Sequence, residues 1–510
     1  MKPKKFIKIL TYFYIIPLAV MVFFNTINSL LRTTYFELYQ IVETAKYKWD
    51  QPFFVILLTF FIVLALYLSW KKKLLEQFDL NKLSVIFAGL FSLCIVLIFR
   101  SEATCDSSLI SDIAIEFSQQ NYSAFEQGGY LYSYSFQIGF AALLELIYRI
   151  FGIENFIVFQ LLNIVSTMVI LNMLNRITRE IFEDENIQQM EALLSFGMLP
   201  LFLFSTFVYG DIIGWAFGVS AIYYIIRYLK DNHWKSILTA GILLMFGTLI
   251  KSNINILLVA AVIAIALNSL HKKNYKQLLW IVVLFIFSQL GVRCVNQIYV
   301  TRANLTEYPG GIPKIAWVAM SMQETDEGGY ACGWYNAYNW NVYAENGYDA
   351  AQTTATCIDN LKESFDKFIH EQRYTLNFFY KKFTSQWNAP TFQAMITNEW
   401  ASRHVDGLSS IANFFLYGLG RDILYGIMNV YHFIIFLGSS LFFVFQKDKW
   451  TFLKAYYILN IFGGFLFHML WEAQSRYILG YFVLMLPLTA CGCCYLFKFI
   501  SKKNICNKNT

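Results

Sequence analysis

The sequence predicts an all-α polytopic membrane protein with about twelve transmembrane helices. Of the 510 residues, 57% belong to the hydrophobic set AVILMFWYC, 18% are aromatic and only 15% are charged. A soluble domain has about 25% charged residues, and a core of this size with so few charges would not stay in solution. The two other observations are a series of twelve apolar runs and the placement of Lys and Arg between them.

Twelve apolar runs account for the predicted spans, since a helix that crosses a bilayer takes about 20 mostly apolar residues. The runs are residues 9–30, 52–70, 83–99, 156–174, 192–208, 212–229, 237–250, 254–270, 278–290, 423–445, 452–471 and 477–500. They divide the chain into N-terminal spans (1–99), a first outer loop with interfacial helices (100–155), a transmembrane core (156–290), a large second outer loop (291–422), and C-terminal spans with a short cytoplasmic tail (423–510).

Clusters of positive residues predict the orientation. The lysines within residues 2–8 place the N-terminus in the cytoplasm, and Lys502 with Lys503 places the C-terminus there too. The number of crossings must then be even. The net charge of +6 does not indicate a nucleic-acid partner, because the positive residues lie in short clusters between apolar runs.

Segment 134–151 is apolar enough to resemble a thirteenth span. It contains Glu145 and Arg149, and counting it as a span would reverse every later positive cluster. We therefore expect an interfacial or re-entrant helix that lies against the bundle on the outer face. Both large loops then face outward, so any active site is expected to be extracytoplasmic.

Two external carboxylates are candidates for chemistry. Asp106 closely follows the third run, and Asp211 lies between two runs. A carboxylate at the membrane surface is partly desolvated, which raises its basicity, and an acid at this depth is costly unless it is paired or hydrated. The alternative for each is a capping residue for the helix that follows.

Four cations lie at the predicted outer ends of spans, namely Arg100, Lys251, Arg293 and Arg476. Outward positive charges oppose the usual bias, and a phosphate at headgroup depth would compensate them. The alternative for each is a cation that extends from a helix end to the interface. For Arg476, a local ion pair with Glu472 four residues earlier is a further alternative.

The sequence has no phosphate-binding P-loop, no Rossmann glycine fingerprint and no H-E-x-x-H or C-x-x-C metal motif. Cys105, Cys332 and Cys357 are all predicted to be external, so one disulfide could form among them. Cys332 with Cys357 is the favoured pair.

Several of these features occur in a recognisable order. A first outer loop opens on Asp106, an aromatic stretch GGYLYSYSFQIG follows at 128–139, an external turn has Asp211, and a terminal turn reads EAQSRY at 472–477. This order resembles the integral-membrane glycosyltransferases of the GT-C fold, in particular the bacterial relatives of dolichyl-phosphate-mannose protein mannosyltransferases. The likeness covers about the first 260 residues and the last 40.

The chain departs from that family's pattern at two positions. Family members commonly have Tyr-Pro where this chain has Tyr134-Ser135, and another polar or acidic residue often follows the acid where this chain has Ser107 and Ser108. Neither departure removes the acid itself.

The resemblance implies that a sugar passes from a polyprenyl-phosphate carrier to an acceptor outside, usually with inversion. Asp106 would be the general base that deprotonates the acceptor hydroxyl. Asp211 would orient the acceptor or help Asp106 to hold a divalent cation. Lys251 and Arg476 would stabilise the phosphate leaving group.

The remaining substrate-binding residues implied by the resemblance are Arg100 and Glu472, with Tyr130, Tyr132 and Trp334 as stacking surfaces for sugar. The expected partners are the lipid bilayer, the polyprenyl-phosphate-linked sugar donor, and an envelope glycan, lipid or protein as acceptor at the cell membrane. Two other classes stay open. One is a polysaccharide polymerase or ligase that uses lipid-linked sugars, and the other is a transporter or lipid flippase, which usually places its charges near the bilayer midplane.

Overall fold

The computed structural model describes residues 3–39, 42–324, 331–403, 405, 407–446 and 450–506. The predicted cytoplasmic lysine Lys2 lies outside these ranges. Within them the chain is helical apart from turns and one two-stranded sheet, which confirms the predicted all-α membrane fold. Nine of the helices in this part of the chain are long and apolar enough to cross a membrane, and the count reaches twelve if each of three bent helix pairs is one span.

The N-terminal part consists of α1 (Pro3–Leu31), α2 (Pro52–Lys71) and α3 (Leu80–Phe99). Between α1 and α2 lies a hairpin of β1 (Arg32–Tyr39) and β2 (Val42–Trp49), which pair antiparallel. The sequence analysis did not predict this hairpin. α2 is apolar on all sides and only 11% of its apolar window is buried, so this helix is expected to face lipid.

Residues 156–302 form the centre of the helix bundle. The helices are α7 (Phe156–Phe182), α8 (Glu185–Ser195), α9 (Leu199–Leu203), α10 (Asp211–Asp231), α11 (Trp234–Ile250), α12 (Asn255–Lys272) and α13 (Leu278–Arg302). α10 packs against α7 and α11 and has 83% of its apolar window buried, the largest share of the nine spans. The run predicted at 192–208 is a pair of helical segments, α8 and α9 with a following 3-10 turn, bent by 50°. Pro200 in the first turn of α9 is compatible with this break.

The predicted first outer loop contains α4 (Asp106–Ser118), α5 (Tyr130–Ser133) and α6 (Ile138–Phe151). The chain bends by 103° between α5 and α6. Glu145 on α6 is buried and accepts hydrogen bonds from Arg302 and Tyr299 at the end of α13, as well as from Arg149 on its own helix. These contacts hold α6 against the bundle, as expected for 134–151. Its depth in the membrane stays a prediction.

The predicted second outer loop begins at residue 291, but α13 continues to Arg302 because its last turns pack on α6. The helices that follow are α14 (Ile315–Ser321), α15 (Tyr338–Glu345), α16 (Ala350–His370), α17 (Gln372–Trp387), α18 (Ala394–Ser402) and α19 (Ser410–Leu416). The predicted disulfide in this region is wrong. Cys332 and Cys357 are free thiols with separate partners, since Cys332 Sγ lies 3.2 Å from Glu324 Oε1 and Cys357 Sγ lies 3.7 Å from the Tyr338 hydroxyl.

The C-terminal helices are α20 (Leu419–Gln446), α21 (Phe452–Leu470), α22 (Ser475–Val483) and α23 (Leu486–Cys506). The run predicted at 477–500 is bent by 48° between α22 and α23. The turn between α21 and α22 lies beside the N-termini of α4 and α10 and the C-terminus of α11. The candidate site lies where these helix ends meet.

Candidate active site

An ion pair between Asp211 and Lys251 lies at the centre of the site. Lys251 Nζ is 2.9 Å from Asp211 Oδ1, and the two side chains are 13% and 9% exposed. Asp211 begins α10, and Lys251 directly follows α11. The helices approach closely at Gly214, where a Cβ atom would come within 2.6 Å of Lys251 Cβ. Burial lowers the pKa of Lys251, and the Asp211 carboxylate opposes that shift.

Arg476, in the first turn of α22, is enclosed by aromatic rings. Its Cζ atom lies 5.3 Å, 5.5 Å and 5.7 Å from the ring centroids of Tyr477, Tyr209 and Phe207. Lys251 Nζ lies 4.7 Å from the Tyr209 ring, so both cations share this tyrosine. No carboxylate among the described residues lies within 4 Å of the Arg476 guanidinium, whose Nε is buried without a hydrogen-bond partner. A guanidinium held by ring faces keeps N–H donors for an anion.

Glu472 lies in the turn that precedes α22 and is 7% exposed. The Tyr477 hydroxyl lies 3.5 Å from Glu472 Oε1. Burial raises the pKa of Glu472 to about 7, while the charge of Arg476 lowers it and that of Asp106 raises it. Glu472 and Arg476 do not form the local ion pair that was the alternative to a functional role, because Glu472 precedes the helix rather than occupying one of its turns.

Asp106 is exposed at the edge of the charged cluster, which consists of Asp211, Lys251, Glu472 and Arg476. Its negative charge raises the pKa of the Glu472 carboxyl and of the Tyr209 hydroxyl, so it lies within electrostatic reach of both. The preceding residue, Cys105, has φ 54° and ψ −131°. A non-glycine residue in this region is strained, and such strain is concentrated at functional sites.

Neither acid occupies the capping position that was its alternative role. The N-caps of α4 and α10 are Cys105 and Gly210, so Asp106 and Asp211 are each the first helical residue. A negative charge there still interacts favourably with the helix dipole. The Asp106 carboxylate remains available for other contacts, whereas that of Asp211 pairs with Lys251.

Three aromatic residues were predicted to stack on sugar, and two of them, Tyr130 and Tyr132, lie in different surroundings. Tyr130 lies within electrostatic reach of Asp106, and its ring is 4.9 Å from that of Tyr134. Tyr132 instead packs in the second loop region, 6.4 Å from the Tyr343 ring and 5.8 Å from the Tyr348 ring. Only Tyr130 is brought near the charged cluster.

Trp334 and Arg100 do not contact the charged cluster in the described part of the chain. Trp334 is 2% exposed, its ring lies 5.0 Å from that of Phe36, and its Nε1 donates to Ser385 Oγ at 2.9 Å. This burial leaves no free ring face for a sugar. Arg100 is exposed at the C-cap of α3, and Arg293 is exposed on α13.

Glu43 and Gln393 belong to the cluster although the sequence analysis did not select them. Gln393 Nε2 donates to Glu43 Oε2 at 2.5 Å, and Gln393 Oε1 accepts from the backbone N–H of Arg476 at 3.0 Å. Glu43 is on β2. The alternation of β-branched and aromatic residues with polar ones in 32–49 was an available signal for that strand.

Among the described residues, the side chains around Asp106 and Asp211 do not form a full ligand set for a divalent cation, although Asp211 Oδ2 is buried without a hydrogen-bond partner. Asp211 Oδ1 is already paired with Lys251 Nζ. In the described ranges, no group of three or more His, Cys, Asp or Glu side chains is arranged to hold a metal ion.

A narrow apolar crevice, with a volume of only about 10 Å³, lies beside Asp211 and Arg476. Its other lining residues are Ile170, Leu201, Phe204, Ile212, Trp215, Val219, Leu479, Gly480 and Val483. One wall is closely packed, since a Cβ atom at Gly480 would lie 1.8 Å from the Trp215 ring. Two charged groups thus lie beside an apolar space between α7, α9, α10 and α22.

Residues 137–291 match the model of a family described as Dolichyl-phosphate-mannose-protein mannosyltransferase. The match supports a membrane glycosyltransferase of the GT-C type. The resemblance inferred from the sequence is confirmed for this segment, which contains Asp211 and Lys251. Asp106 and Arg476 lie outside the matched segment. No curated protein matches the chain.

Proposed function

We propose that the protein transfers a sugar from a polyprenyl-phosphate carrier to an acceptor hydroxyl, with inversion at the anomeric carbon. The observation that carries the proposal is a pair of largely buried cations, Lys251 and Arg476, that both lie against the Tyr209 ring, with Arg476 also lining a narrow apolar crevice. A polyprenyl phosphate has the matching chemistry, an anionic head on an apolar chain.

The cations bind the phosphate, and the first part of the prenyl chain follows the narrow apolar crevice, which has to widen to admit it. Arg476 has N–H donors that no carboxylate occupies within 4 Å among the described residues, and Lys251 adds a second positive charge. Charge-assisted hydrogen bonds to a phosphate are stronger in a partly desolvated site than in water. Asp211 keeps Lys251 charged and in place, because its carboxylate opposes the effect of burial on the lysine pKa.

Asp106 is the general base. As the acceptor hydroxyl attacks the anomeric carbon, its proton passes to the Asp106 carboxylate and the bond from that carbon to the phosphate oxygen breaks. The phosphate leaves with the electron pair. Lys251 and Arg476 stabilise the developing charge, which contributes to catalysis to the extent that they bind it more tightly in the transition state than in the ground state.

The reaction takes place on the outer face of the membrane. The positive-inside distribution of Lys and Arg in the sequence supports that side. The acceptor is an envelope glycan, lipid or protein whose hydroxyl reaches Asp106.

The test is sugar transfer by the purified full-length protein in lipid vesicles, with radiolabelled polyprenyl-phosphate mannose as the first donor and a panel of other hexoses after it. Asp106→Asn is expected to lower the transfer rate by at least about 100-fold, the lower end of the usual contribution of a general base. Asp112→Asn is the matched control, because Asp112 is an exposed acid on the same helix.

Full transfer activity in Asp106→Asn would refute the base assignment. Wild-type protein that moves the labelled lipid across the bilayer without releasing polyprenyl phosphate would instead establish the flippase alternative. Release of the carrier phosphate together with a glycosylated acceptor supports the proposed reaction.

A further inference from the structure

The β-hairpin between α1 and α2 is docked on the part of the second loop region that precedes α18. Thr34 N donates to Asn388 O at 3.0 Å, and Asn388 Nδ2 donates to Arg32 O at 2.5 Å. Phe36 is fully buried against Trp334, with 5.0 Å between the ring centroids. The hairpin therefore has a fixed position relative to residues 388–393. It lies outside the segment that matches the glycosyltransferase family.

Glu43, on this hairpin, is linked through Gln393 to the turn that contains Arg476. Gln393 Nε2 donates both to Glu43 Oε2 at 2.5 Å and to Gln474 Oε1 at 2.9 Å. Gln393 Oε1 accepts from Arg476 N at 3.0 Å and from Ser475 Oγ at 3.3 Å. All hydrogen-bonding capacity of one amide is thus used to join the hairpin to residues 474–476.

The backbone at Phe392 and Gln393 has an uncommon conformation. Phe392 and Gln393 have φ angles of 47° and 67°, and both side chains are buried, at 0% and 1% exposed. A bulky residue in the left-handed region is uncommon, and two in succession need strong support from their surroundings. The hydrogen bonds to Glu43 and Arg476 supply part of that support.

The contact between Glu43 and Arg476 is indirect. No ion pair within 4 Å joins them among the described residues, although the charge of Arg476 acts on the Glu43 carboxyl. Burial raises the pKa of Glu43, while Arg476 and the hydrogen bond from Gln393 oppose that shift. Glu43 therefore influences Arg476 mainly through Gln393, which fixes the backbone from which the guanidinium extends.

We infer that Glu43 and Gln393 are positioning residues of the phosphate site, which they act on by holding the Ser475 hydroxyl and the Arg476 backbone N–H. The inference rests on the proposed role of Arg476 in binding the carrier phosphate. Glu43 holds the Gln393 amide, and Gln393 holds the turn. The hairpin is a structural part of the active site, supplied by the chain before the first loop region.

The test uses the full-length protein in detergent micelles with farnesyl phosphate, a short polyprenyl phosphate, as the probe. Two quantities are measured, the dissociation constant of the probe and the hydrogen–deuterium exchange of peptide 472–477. Glu43→Ala and Gln393→Ala are expected to weaken binding at least about tenfold and to speed exchange at Arg476. Glu43→Gln keeps an acceptor for the Gln393 amide and is expected to bind within about threefold of wild type. Glu37→Ala, which changes an exposed acid on the same hairpin, is the control and should change neither quantity.

Each outcome is decisive. Faster exchange with weaker binding in both alanine variants, rescued in Glu43→Gln, supports the inference. Unchanged exchange, or faster exchange with unchanged binding, overturns it. Equal loss of binding in Glu43→Ala and Glu43→Gln also overturns it, since a charge effect rather than positioning would then act. If the wild-type protein does not bind farnesyl phosphate, the proposed phosphate site itself is wrong and the inference falls with it, whatever exchange shows.

Discussion

Replacing Asp211 with Asn should destabilise the protein by about 3 kcal/mol. The substitution leaves the Lys251 ammonium 13% exposed and without its carboxylate partner at 2.9 Å. Removing one member of a buried ion pair typically costs about 3–5 kcal/mol, because the remaining charge is left uncompensated. The lower end applies here because Lys251 also lies 4.7 Å from the Tyr209 ring and 5.0 Å from the Tyr477 ring, which give partial compensation.

The assay is denaturant-induced unfolding in detergent micelles for four proteins: wild type, Asp211→Asn, Lys251→Met and the double variant. Losing both charges together is expected to cost less than Asp211→Asn alone, since no unpaired ammonium is then buried. A matched control is Asp359→Asn, which removes the partner of Lys362 at 2.8 Å where the side chains are 70% and 72% exposed. An exposed pair of this kind is worth less than about 1 kcal/mol.

Two results would refute this reasoning about the pair. One is a loss in Asp211→Asn no larger than that in Asp359→Asn, which would mean that water screens the buried pair as well as the exposed one. The other is a double variant whose loss equals the sum of the two single losses, since additive effects show that the side chains do not interact.

Three further predictions concern the same site and its sidedness. Burial raises the folded-state pKa of Glu472 from 4.5 to about 7, so the free energy of unfolding should fall by up to about 3 kcal/mol as the pH rises through that interval. Glu472→Gln should remove this fall when the free energy of unfolding is measured as a function of pH. Wild-type and variant curves that run parallel would contradict the prediction. Arg476→Ala should weaken farnesyl phosphate binding more than Lys251→Ala does, by direct titration, and the reverse order would contradict it. In a chain without exposed cysteines, Glu154→Cys should react with an impermeant maleimide from outside intact cells, and Lys72→Cys should not; the opposite result would reverse the topology.

The membrane fold could be predicted from sequence because it depends on composition and segment length. Apolar runs of about 20 residues must become helices in a bilayer, where no water satisfies the backbone. The same physics selected Lys251 and Arg476, since a cation at the wrong end of a span calls for compensation. The bends at 195–199 and near 484 were not predictable in this way, because the runs that contain them are apolar on both sides of the break.

Contacts between segments that are far apart in the chain could not be predicted from the sequence. Trp334 was selected for its aromatic ring, but whether a ring faces a ligand or a neighbouring side chain depends on the fold, and Phe36 covers this one. Cys332 and Cys357 shared a predicted side of the membrane, which does not place two sulfur atoms within bonding distance. Glu43 and Gln393 are 350 residues apart, and only their hydrogen bond shows that they act together.

The two cations of the site are stabilised by different means, and this difference divides their roles. Lys251 has a carboxylate at 2.9 Å, so a phosphate must compete with Asp211 for it and adds less interaction energy there. Arg476 has ring faces at 5.3–5.7 Å, a turn fixed by Gln393 and, among the described residues, no carboxylate within 4 Å, so a phosphate adds a new anionic partner for its N–H donors. Because only a group that lacks a strong partner in the free protein gains fully on binding, Arg476 should provide more of the carrier affinity. Lys251 and Asp211 should provide more of the stability that keeps the site in place.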